Sequence, residues 1–248
     1  MLTVKLQGGL GNQLFQLGFL DYISKITGKE KYICELHSPS TIHSQNQYYE
    51  TIFQEWKSLY KLENAHLLHE NPNLKYEDWK TKLINPNNTC VFGYFQRFEY
   101  MDLIRDEFIS KLKFNTSILE KYPEISKKVF IHIRGGDYKN NIFHELNLKN
   151  YYSKCLEICK NEEFVIFTND IPYAKNYFKD IPIVQENELD TLYLMSQAKG
   201  CICVNSSFSW WGAYLNPKRP IFMPSKWFGN ILMDKSGYYF KGVQIIEV

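Results

Sequence analysis

The sequence predicts an α/β protein built on parallel β-sheets. In the second half of the chain, short apolar strands alternate with helical segments, which is the pattern of parallel strands covered by helices on both faces. The N-terminus begins the same way, because an apolar strand, a glycine-rich turn and a helix follow one another. With 248 residues, the chain has the length of one to two domains.

The first half gives fewer regular elements than the second. Residues 37–90 are polar, aromatic and without a clear period, so they predict no defined element. Gly28 stands where a glycine ends a helix. The pattern elsewhere in this half predicts strands over 2–7, 31–36 and 89–96, and helices over 12–27 and 101–112.

The break at Tyr122-Pro123 predicts a domain boundary, with an N-terminal domain over 1–122 and a C-terminal domain over 123–248. The second domain has a regular alternation of elements. Its predicted strands are 129–133, 164–168, 181–185, 201–204 and 220–223, and its predicted helices are 149–160, 172–178, 189–198 and 208–215.

Composition excludes several classes of protein. The net charge of +2 gives no overall basic surface for nucleic acid. No apolar run approaches the ~18–20 residues that a membrane span needs, and no signal pattern precedes the first strand, so we expect a cytoplasmic protein. The six cysteines lack the paired spacing of a zinc site, which favours reduced, buried thiols.

Polar or glycine-rich turns follow four of the predicted strands. In open α/β sheets, ligands bind beyond the carboxyl ends of the strands. The turns at 8–12, 134–137, 168–170 and 205–207 therefore predict one ligand-facing rim.

Three of these turns also have purely structural explanations. Asn169-Asp170 before Pro172 is typical of a helix N-cap, and Ser206 or Ser207 has the same position before a helix. Gly9 and Gly11 are explained by a tight turn. Taken singly, each of these three turns favours the structural interpretation.

The turn after the strand 129–133 is harder to explain by structure alone. Arg134 is followed by Gly135 and Gly136, so a planar guanidinium would lie beside open backbone amides, a combination that suits a phosphate. The competing interpretation is a surface ion pair between Arg134 and Asp137, worth only ~0–1 kcal/mol. His132, in an otherwise apolar strand, would by itself be a hydrogen-bonded core histidine.

Two weaker signals remain. Gly9-x-Gly11 imitates a dinucleotide-binding fingerprint, with Glu35 as the ribose-binding acid, but Leu14 replaces the third glycine. Trp210-Trp211 would stack on a sugar or a base, or pack in the core.

Together, five segments resemble the alpha-1,2-fucosyltransferases of glycosyltransferase family 11, and the resemblance covers nearly the whole chain. His132-Ile133-Arg134-Gly135-Gly136-Asp137-Tyr138 is similar to the His-x-Arg-Arg-x-Asp motif of several fucosyltransferase families. The other segments, in the family's order, are 8–16, 91–96, 167–170 and 194–197 with 205–213.

Three features depart from the family pattern. Gly135 stands in place of the second arginine, Asn169 in place of the first of two paired acids, and the chain is short for two complete nucleotide-binding domains. Arg134, the position that the family pattern ties to the donor phosphate, is retained.

The resemblance implies a GT-B fold, in which two Rossmann-like domains with parallel sheets face each other across a cleft. It implies inverting transfer of L-fucose from GDP-L-fucose, bound by the C-terminal domain, to an oligosaccharide acceptor on the N-terminal domain. Family analogy points to O2 of a terminal galactose. Because no Asp-x-Asp occurs in the sequence, we expect transfer without a metal or other cofactor.

The resemblance also assigns roles to residues. Arg134 would meet the charge on the leaving phosphate, and Asn12 would lie near the donor phosphate and the acceptor. Asp137 is the first choice for the general base, with a role in positioning Arg134 as its alternative and His144 or Glu145 as substitutes. The residues expected to bind the donor are Gly9, Gly11, His132, Asn169, Asp170, Asn205, Ser206, Ser207 and Phe208.

Three other functions stay open: a nicotinamide-dependent dehydrogenase using Gly9-x-Gly11, a non-catalytic GDP-sugar-binding relative, and a transferase using another GDP-hexose. The expected partners are a nucleotide-sugar donor and an oligosaccharide, with no nucleic acid. The sequence leaves oligomeric state and peripheral membrane association open.

Overall fold

The computed structural model describes residues 1–33, 48–57, 65–71, 78–84, 88–229 and 234–248. The chain forms two compact units. Unit 1 contains Met1–Phe114 and Ser236–Tyr238, and unit 2 contains Asn115–Lys235 and Tyr239–Val248. The division therefore falls between 114 and 115, ahead of the predicted boundary at 122/123.

Unit 1 is a parallel sheet with helices. Its described strands have the order β2-β1-β4-β3, so the N-terminal strand is internal. The strands are β1 (Leu2–Val4), β2 (Lys31–Ile33), β3 (His66–His69) and β4 (Thr89–Phe92); the helices are α1 (Leu10–Thr27), α2 (Gln54–Lys57), α3 (Trp79–Lys82), α4 (Phe98–Asp102) and α5 (Arg105–Lys111).

Helix α1 carries much of the core of unit 1. Phe19 on α1 stacks on Phe95 with ring centroids 3.8 Å apart, and meets Trp79 edge-on. Gly28 ends the helix in the left-handed conformation and donates its N–H to the Ser24 carbonyl, which confirms the predicted glycine stop.

Unit 2 is a larger parallel sheet, in which the described strands have the order β10-β9-β8-β5-β6-β7. Its strands are β5 (Lys128–Ile133), β6 (Glu163–Thr168), β7 (Ile183–Val184), β8 (Gly200–Ile202), β9 (Ile221–Pro224) and β10 (Val243–Ile246). Its helices are α6 (Ile118–Lys121), α7 (Lys149–Ile158), α8 (Ile171–Lys175), α9 (Glu188–Gln197) and α10 (Ser207–Tyr214).

Strand β5 lies inside the unit 2 sheet and is almost entirely buried. Ile133 pairs with Thr168 on β6, and Ile131 pairs with Ile202 on β8, all in parallel register. The carboxyl ends of these three strands therefore lie at one edge of the sheet. Side chains from β5, α7 and the neighbouring strands form a continuous apolar core.

Several predicted elements differ from those observed. The strand predicted over 2–7 ends at Val4, because the Gln7 N–H donates to the Gln16 side chain instead of a neighbouring strand. The strand predicted over 89–96 ends at Phe92, and Phe95 has a positive φ of 51° that an extended strand excludes.

The helix predicted over 101–112 is two helices, α4 and α5, because the backbone at Ile104 leaves the helical region. In the predicted strand 31–36, residues 34–36 lie outside the described residues. The described cysteines are buried and not bridged, as predicted; Cys34 lies outside the described part. In the described ranges, no helix is long and apolar enough to cross a membrane.

Candidate functional site

The unit 2 sheet brings three of the four predicted turns to one edge. Residues 134–137 follow β5, residues 168–170 begin at the last residue of β6, and residues 205–207 lead from the loop after β8 into the first residue of α10. The turn 8–12 follows β1, which pairs with β2 and β4 in the unit 1 sheet. Three of the four turns therefore share one sheet edge, and the ligand-facing rim formed by all four turns stays a prediction.

Arg134 is held in place at the carboxyl end of β5. Its Nη2 atom donates to Asp137 Oδ1 at 2.7 Å, and its Cζ atom lies 5.4 Å from the centre of the Tyr138 ring. The Arg134 Nε–H group is buried and has no hydrogen-bond partner among the described residues. The ion pair that sequence analysis offered as an alternative is therefore present, and it leaves the guanidinium with further donors.

The backbone amides beside Arg134 are not open, so that prediction is wrong. The Gly135 N–H donates to Asn169 Oδ1 at 2.9 Å, and the Gly136 N–H donates to Asp170 Oδ2 at 3.2 Å. Side chains from the turn after β6 thus satisfy both donors. An anion at this edge would bind the Arg134 guanidinium and would receive no hydrogen bond from these two amides.

Gly135 is packed so tightly that a larger residue does not fit. A Cβ atom at this position would lie 2.6 Å from Asp170 Cβ and 2.8 Å from Asp170 Oδ2. The approach of the Asn169-Asp170 turn therefore accounts for the glycine at the position where the family pattern has its second arginine.

We predict that Gly135→Arg, which restores the family's residue, lowers the free energy of unfolding by about 1–3 kcal/mol, the usual range for overpacking. Urea unfolding measures the effect. In an Asp170→Gly background, the clashing side chain is gone, so Gly135→Arg should lower the free energy of unfolding by less than it does in the wild type. An unchanged unfolding free energy for Gly135→Arg would contradict the packing argument.

Asp170 is an N-cap, as its structural interpretation predicted. Its Oδ1 atom accepts from the Tyr173 N–H at 3.0 Å and caps α8. Its Oδ2 atom also lies 2.7 Å from Lys139 Nζ, and this hydrogen bond is the main reason that the pKa of the carboxyl is lowered. Binding of the donor by Asn169 and Asp170 remains a proposal.

Residues in the turn before α10 also make contacts that stabilise the fold. Ser206 caps α10 by accepting from the Phe208 N–H at 3.3 Å, so the predicted capping role is confirmed for Ser206 and not for Ser207, which is the first residue of the helix. Asn205 is buried, and its amide donates to the carbonyls of His144 and Trp227. These contacts hold the loops that carry His144 and Trp227 against the turn at the carboxyl-end edge of the unit 2 sheet.

His132 is buried but is not the hydrogen-bonded core histidine of the structural interpretation. Its ring lies 5.9 Å from the Phe208 ring, and its Nδ1 atom has no hydrogen-bond partner within the described ranges. Burial, and secondly the nearby Arg134 charge, lower the pKa of His132 to about 3. The imidazole is therefore neutral at neutral pH.

We predict that His132 makes the fold less stable as the pH falls below about 6.5. Between this value and about 3, the unfolded chain binds a proton that the folded chain does not, so stability rises with pH in this window. The expected loss between pH 7 and pH 5 is on the order of 2 kcal/mol. His132→Phe should remove that part of the loss in urea unfolding; an unchanged pH dependence would contradict the burial argument.

The candidates for general base have different surroundings. Asp137 is half-exposed and pairs with Arg134, and Glu145 Oε2 accepts from the Asn140 N–H at 2.8 Å. His144 stacks on Tyr138, and partial burial lowers its pKa. The contact that the structure gives Asp137 suits its alternative role of positioning Arg134.

In unit 1, Asn12 belongs to a hydrogen-bonded chain that sequence analysis missed. Asn12 Oδ1 accepts from Gln96 Nε2 at 2.7 Å, and Gln96 Oε1 accepts from the Tyr238 hydroxyl at 2.9 Å. Gly9 is the N-cap of α1, and Gly11 lies buried in its first turn. Gln96 is the last residue of the family-like segment 91–96. That position was the sequence signal that could have identified Gln96 as a candidate site residue.

An open groove of about 600 Å³ lies at the carboxyl ends of β6 and β7, formed by residues 168–172 and 185–187. It is next to the Asn169-Asp170 turn. Within the ranges that the structure covers, no three His, Cys, Asp or Glu side chains are grouped to hold a metal ion. Glu35 lies outside the described residues.

The sequence profile of Glycosyl transferase family 11 matches residues 1–235. The chain belongs to glycosyltransferase family 11. This confirms the resemblance drawn from the five segments. The match runs through both units.

Two curated relatives come from Escherichia coli. The O-antigen biosynthesis glycosyltransferase WbnK is 31% identical over 186 residues, which cover 63% of this chain and 62% of WbnK. An alpha-1,2-colitosyltransferase is 27% identical over 257 residues, covering 87% of each protein. The chain thus spans less than two thirds of WbnK.

Solved structures show the same fold at low sequence identity. The fucosyltransferase NodZ from Bradyrhizobium has a TM-score of 0.53 at 13% identity, covering 87% of this chain and 93% of NodZ. A family 9 glycosyltransferase from Veillonella parvula has a TM-score of 0.52 at 12% identity, covering 99% and 86%. These likenesses confirm the predicted α/β, GT-B-like class with parallel sheets. The facing of the two domains across a cleft stays a prediction.

Proposed function

We propose that this family 11 chain is an inverting glycosyltransferase that moves L-fucose from GDP-L-fucose to a hydroxyl of an oligosaccharide. The observation that carries the proposal is the Arg134 guanidinium, held at the carboxyl end of the internal strand β5. This edge is where open α/β sheets bind ligands.

The chemical need at this site is a positive charge for the leaving group. When the acceptor hydroxyl attacks the anomeric carbon, a new bond forms between the acceptor oxygen and that carbon. The bond between the anomeric carbon and the β-phosphate oxygen breaks, and GDP leaves with the bonding electrons. Arg134 stabilises the charge that grows on that phosphate. Because the sequence has no Asp-x-Asp, we propose that the transfer needs no metal.

The donor proposal is supported by the names of related proteins. One NodZ structure, with a TM-score of 0.54, is of an alpha-1,6-fucosyltransferase co-crystallised with GDP. The name of the alpha-1,2-colitosyltransferase relative favours one second candidate, the transfer of colitose in place of fucose. For the acceptor we propose O2 of a terminal galactose, on an oligosaccharide bound by unit 1.

We propose the following roles for the site residues. Arg134 binds the donor phosphate, Asn12 lies near the donor phosphate and the acceptor, and Asp137 takes the acceptor proton or positions Arg134. The donor is bound by His132, Gly9, Gly11, Asn169, Asp170, Asn205, Ser206, Ser207 and Phe208. An Asp137→Asn variant with normal turnover and an unchanged pH profile would rule out Asp137 as the base.

Two rival functions make different predictions. A non-catalytic relative would bind GDP without transferring sugar. A nicotinamide-dependent dehydrogenase would bind NAD and be indifferent to the loss of Arg134. Membership of a glycosyltransferase family favours the first of these rivals over the second.

The test is a transfer assay with GDP-fucose and, in parallel, GDP-colitose. Lactose supplies a terminal galactose, a chelator is present throughout, and GDP release and the linkage of the product are measured. We expect GDP release with the chelator present, and a fucosyl or colitosyl group of inverted configuration on O2 of galactose. Binding of GDP with neither transfer nor hydrolysis of either donor would contradict the proposed activity.

A further inference from the structure

The aromatic ring beside Arg134 is itself held from two sides. The Tyr138 hydroxyl donates to the Asn205 carbonyl at 3.2 Å, and the ring stacks on His144 with centroids 4.7 Å apart and planes 19° apart. Burial raises the pKa of the Tyr138 phenol, so the hydroxyl remains a donor at neutral pH. Tyr138 therefore has little freedom to rotate.

The supports of Tyr138 are also connected to each other. The Asn205 side-chain amide donates to the His144 carbonyl and to the Trp227 carbonyl, both at 2.9 Å. Asn205 thus fixes the loop that carries His144, while its own carbonyl fixes the Tyr138 hydroxyl. The ring beside Arg134 is connected in this way to two loops and to the turn after β8.

The two contacts of the Arg134 guanidinium differ in what they use. The Asp137 carboxylate takes one N–H donor. An aromatic face restrains a guanidinium by cation–π attraction and takes none of its in-plane N–H groups. A ring contact therefore orients the guanidinium, while the remaining N–H donors of the guanidinium stay available for an anion that presents two oxygen atoms, such as phosphate.

We propose that Tyr138 is a positioning residue, which orients the Arg134 guanidinium for the phosphate of the donor. This inference rests on the proposed function, because it takes Arg134 to be the phosphate-binding group. In this role Tyr138 acts through Arg134, because its ring lies against the guanidinium while its hydroxyl donates to the Asn205 carbonyl.

The test is a double-mutant cycle on GDP affinity, measured by calorimetry. Tyr138→Leu removes the ring face and should weaken GDP binding by about 2- to 30-fold, the range of a cation–π contact. Tyr138→Phe keeps the face and should stay close to wild type. In an Arg134→Ala background, Tyr138→Leu should cause no further loss, because the cation that it orients is gone.

The matched control is Tyr239→Leu. The Tyr239 hydroxyl also donates to a backbone carbonyl, that of Pro224 at 2.8 Å, so the control removes a comparable hydrogen bond from the same unit. GDP affinity should not change in this control. If Tyr138→Leu does not fold, Tyr138→Met provides a longer, more adaptable side chain without an aromatic face and gives the same comparison.

The outcomes separate this inference from the proposed function. Failure of the wild-type protein to bind GDP would overturn the proposed function. Wild-type binding that weakens with Arg134→Ala, but falls equally with Tyr138→Leu in both backgrounds, would overturn the positioning role alone, because a merely structural residue acts independently of Arg134. An unchanged affinity for Tyr138→Leu would overturn it as well.

Discussion

Replacing Arg134 with alanine should lower the rate of sugar transfer by about 10²–10³-fold, the usual cost of removing one donor that stabilises a developing negative charge. In our account, the charge grows on the leaving phosphate, and the guanidinium at the end of β5 is the group that meets it. Turnover at saturating donor, with circular dichroism to verify folding, measures the effect.

Arg134→Lys is the matched variant for this prediction. Lysine keeps the charge but lacks the planar fork and the surface that contacts Tyr138. We expect its rate to fall between those of wild type and Arg134→Ala. If Arg134→Ala turns over at a rate within threefold of wild type, then groups other than Arg134 stabilise the charge on the leaving phosphate.

The second large effect concerns stability. We expect Arg219→Met to lower the free energy of unfolding by about 3–5 kcal/mol, because a partly buried guanidinium donates to several carbonyls that would lose their partner together. Arg219 Nη1 donates to the Met195 and Ala198 carbonyls at the end of α9, and Nη2 donates to the Gly212 carbonyl in the last turn of α10.

Arg219 thus joins the negative ends of two helix dipoles. In the part of the chain that the structure describes, no carboxylate pairs with it, and burial lowers its pKa. Helix α10 begins at the candidate site, and the Arg219 contact with the Gly212 carbonyl holds the opposite end of this helix. Urea unfolding measures the loss, with Lys218→Met as the exposed neighbouring control. A loss below 1 kcal/mol would contradict the role of Arg219.

The local apolar pattern was sufficient to predict much of the fold. The strands around β5, the glycine that ends α1 and the caps at Asp170 and Ser206 follow from short-range sequence signals. Strands β3 and β10 were not predicted, and none of their residues is fully buried.

The contacts within the site depend on residues far apart in the chain. The Gly135 and Gly136 amides seemed open from the sequence, but side chains more than thirty positions later accept from them. The hydrogen bond between Asn12 and Gln96 joins positions even further apart. Such pairings follow from the order of strands in a sheet, which local patterns do not specify.

The central claim is that Arg134 holds the phosphate of a guanine nucleotide without a metal. The most direct measurement is a calorimetric titration of GDP, UDP and NAD into the protein with a chelator present, repeated for GDP with Arg134→Ala. We predict that GDP alone binds, and that the variant loses about 1.5–3 kcal/mol of binding free energy, the scale of a charge-assisted contact. Binding of NAD instead, or equal binding of GDP to the variant, would contradict the account.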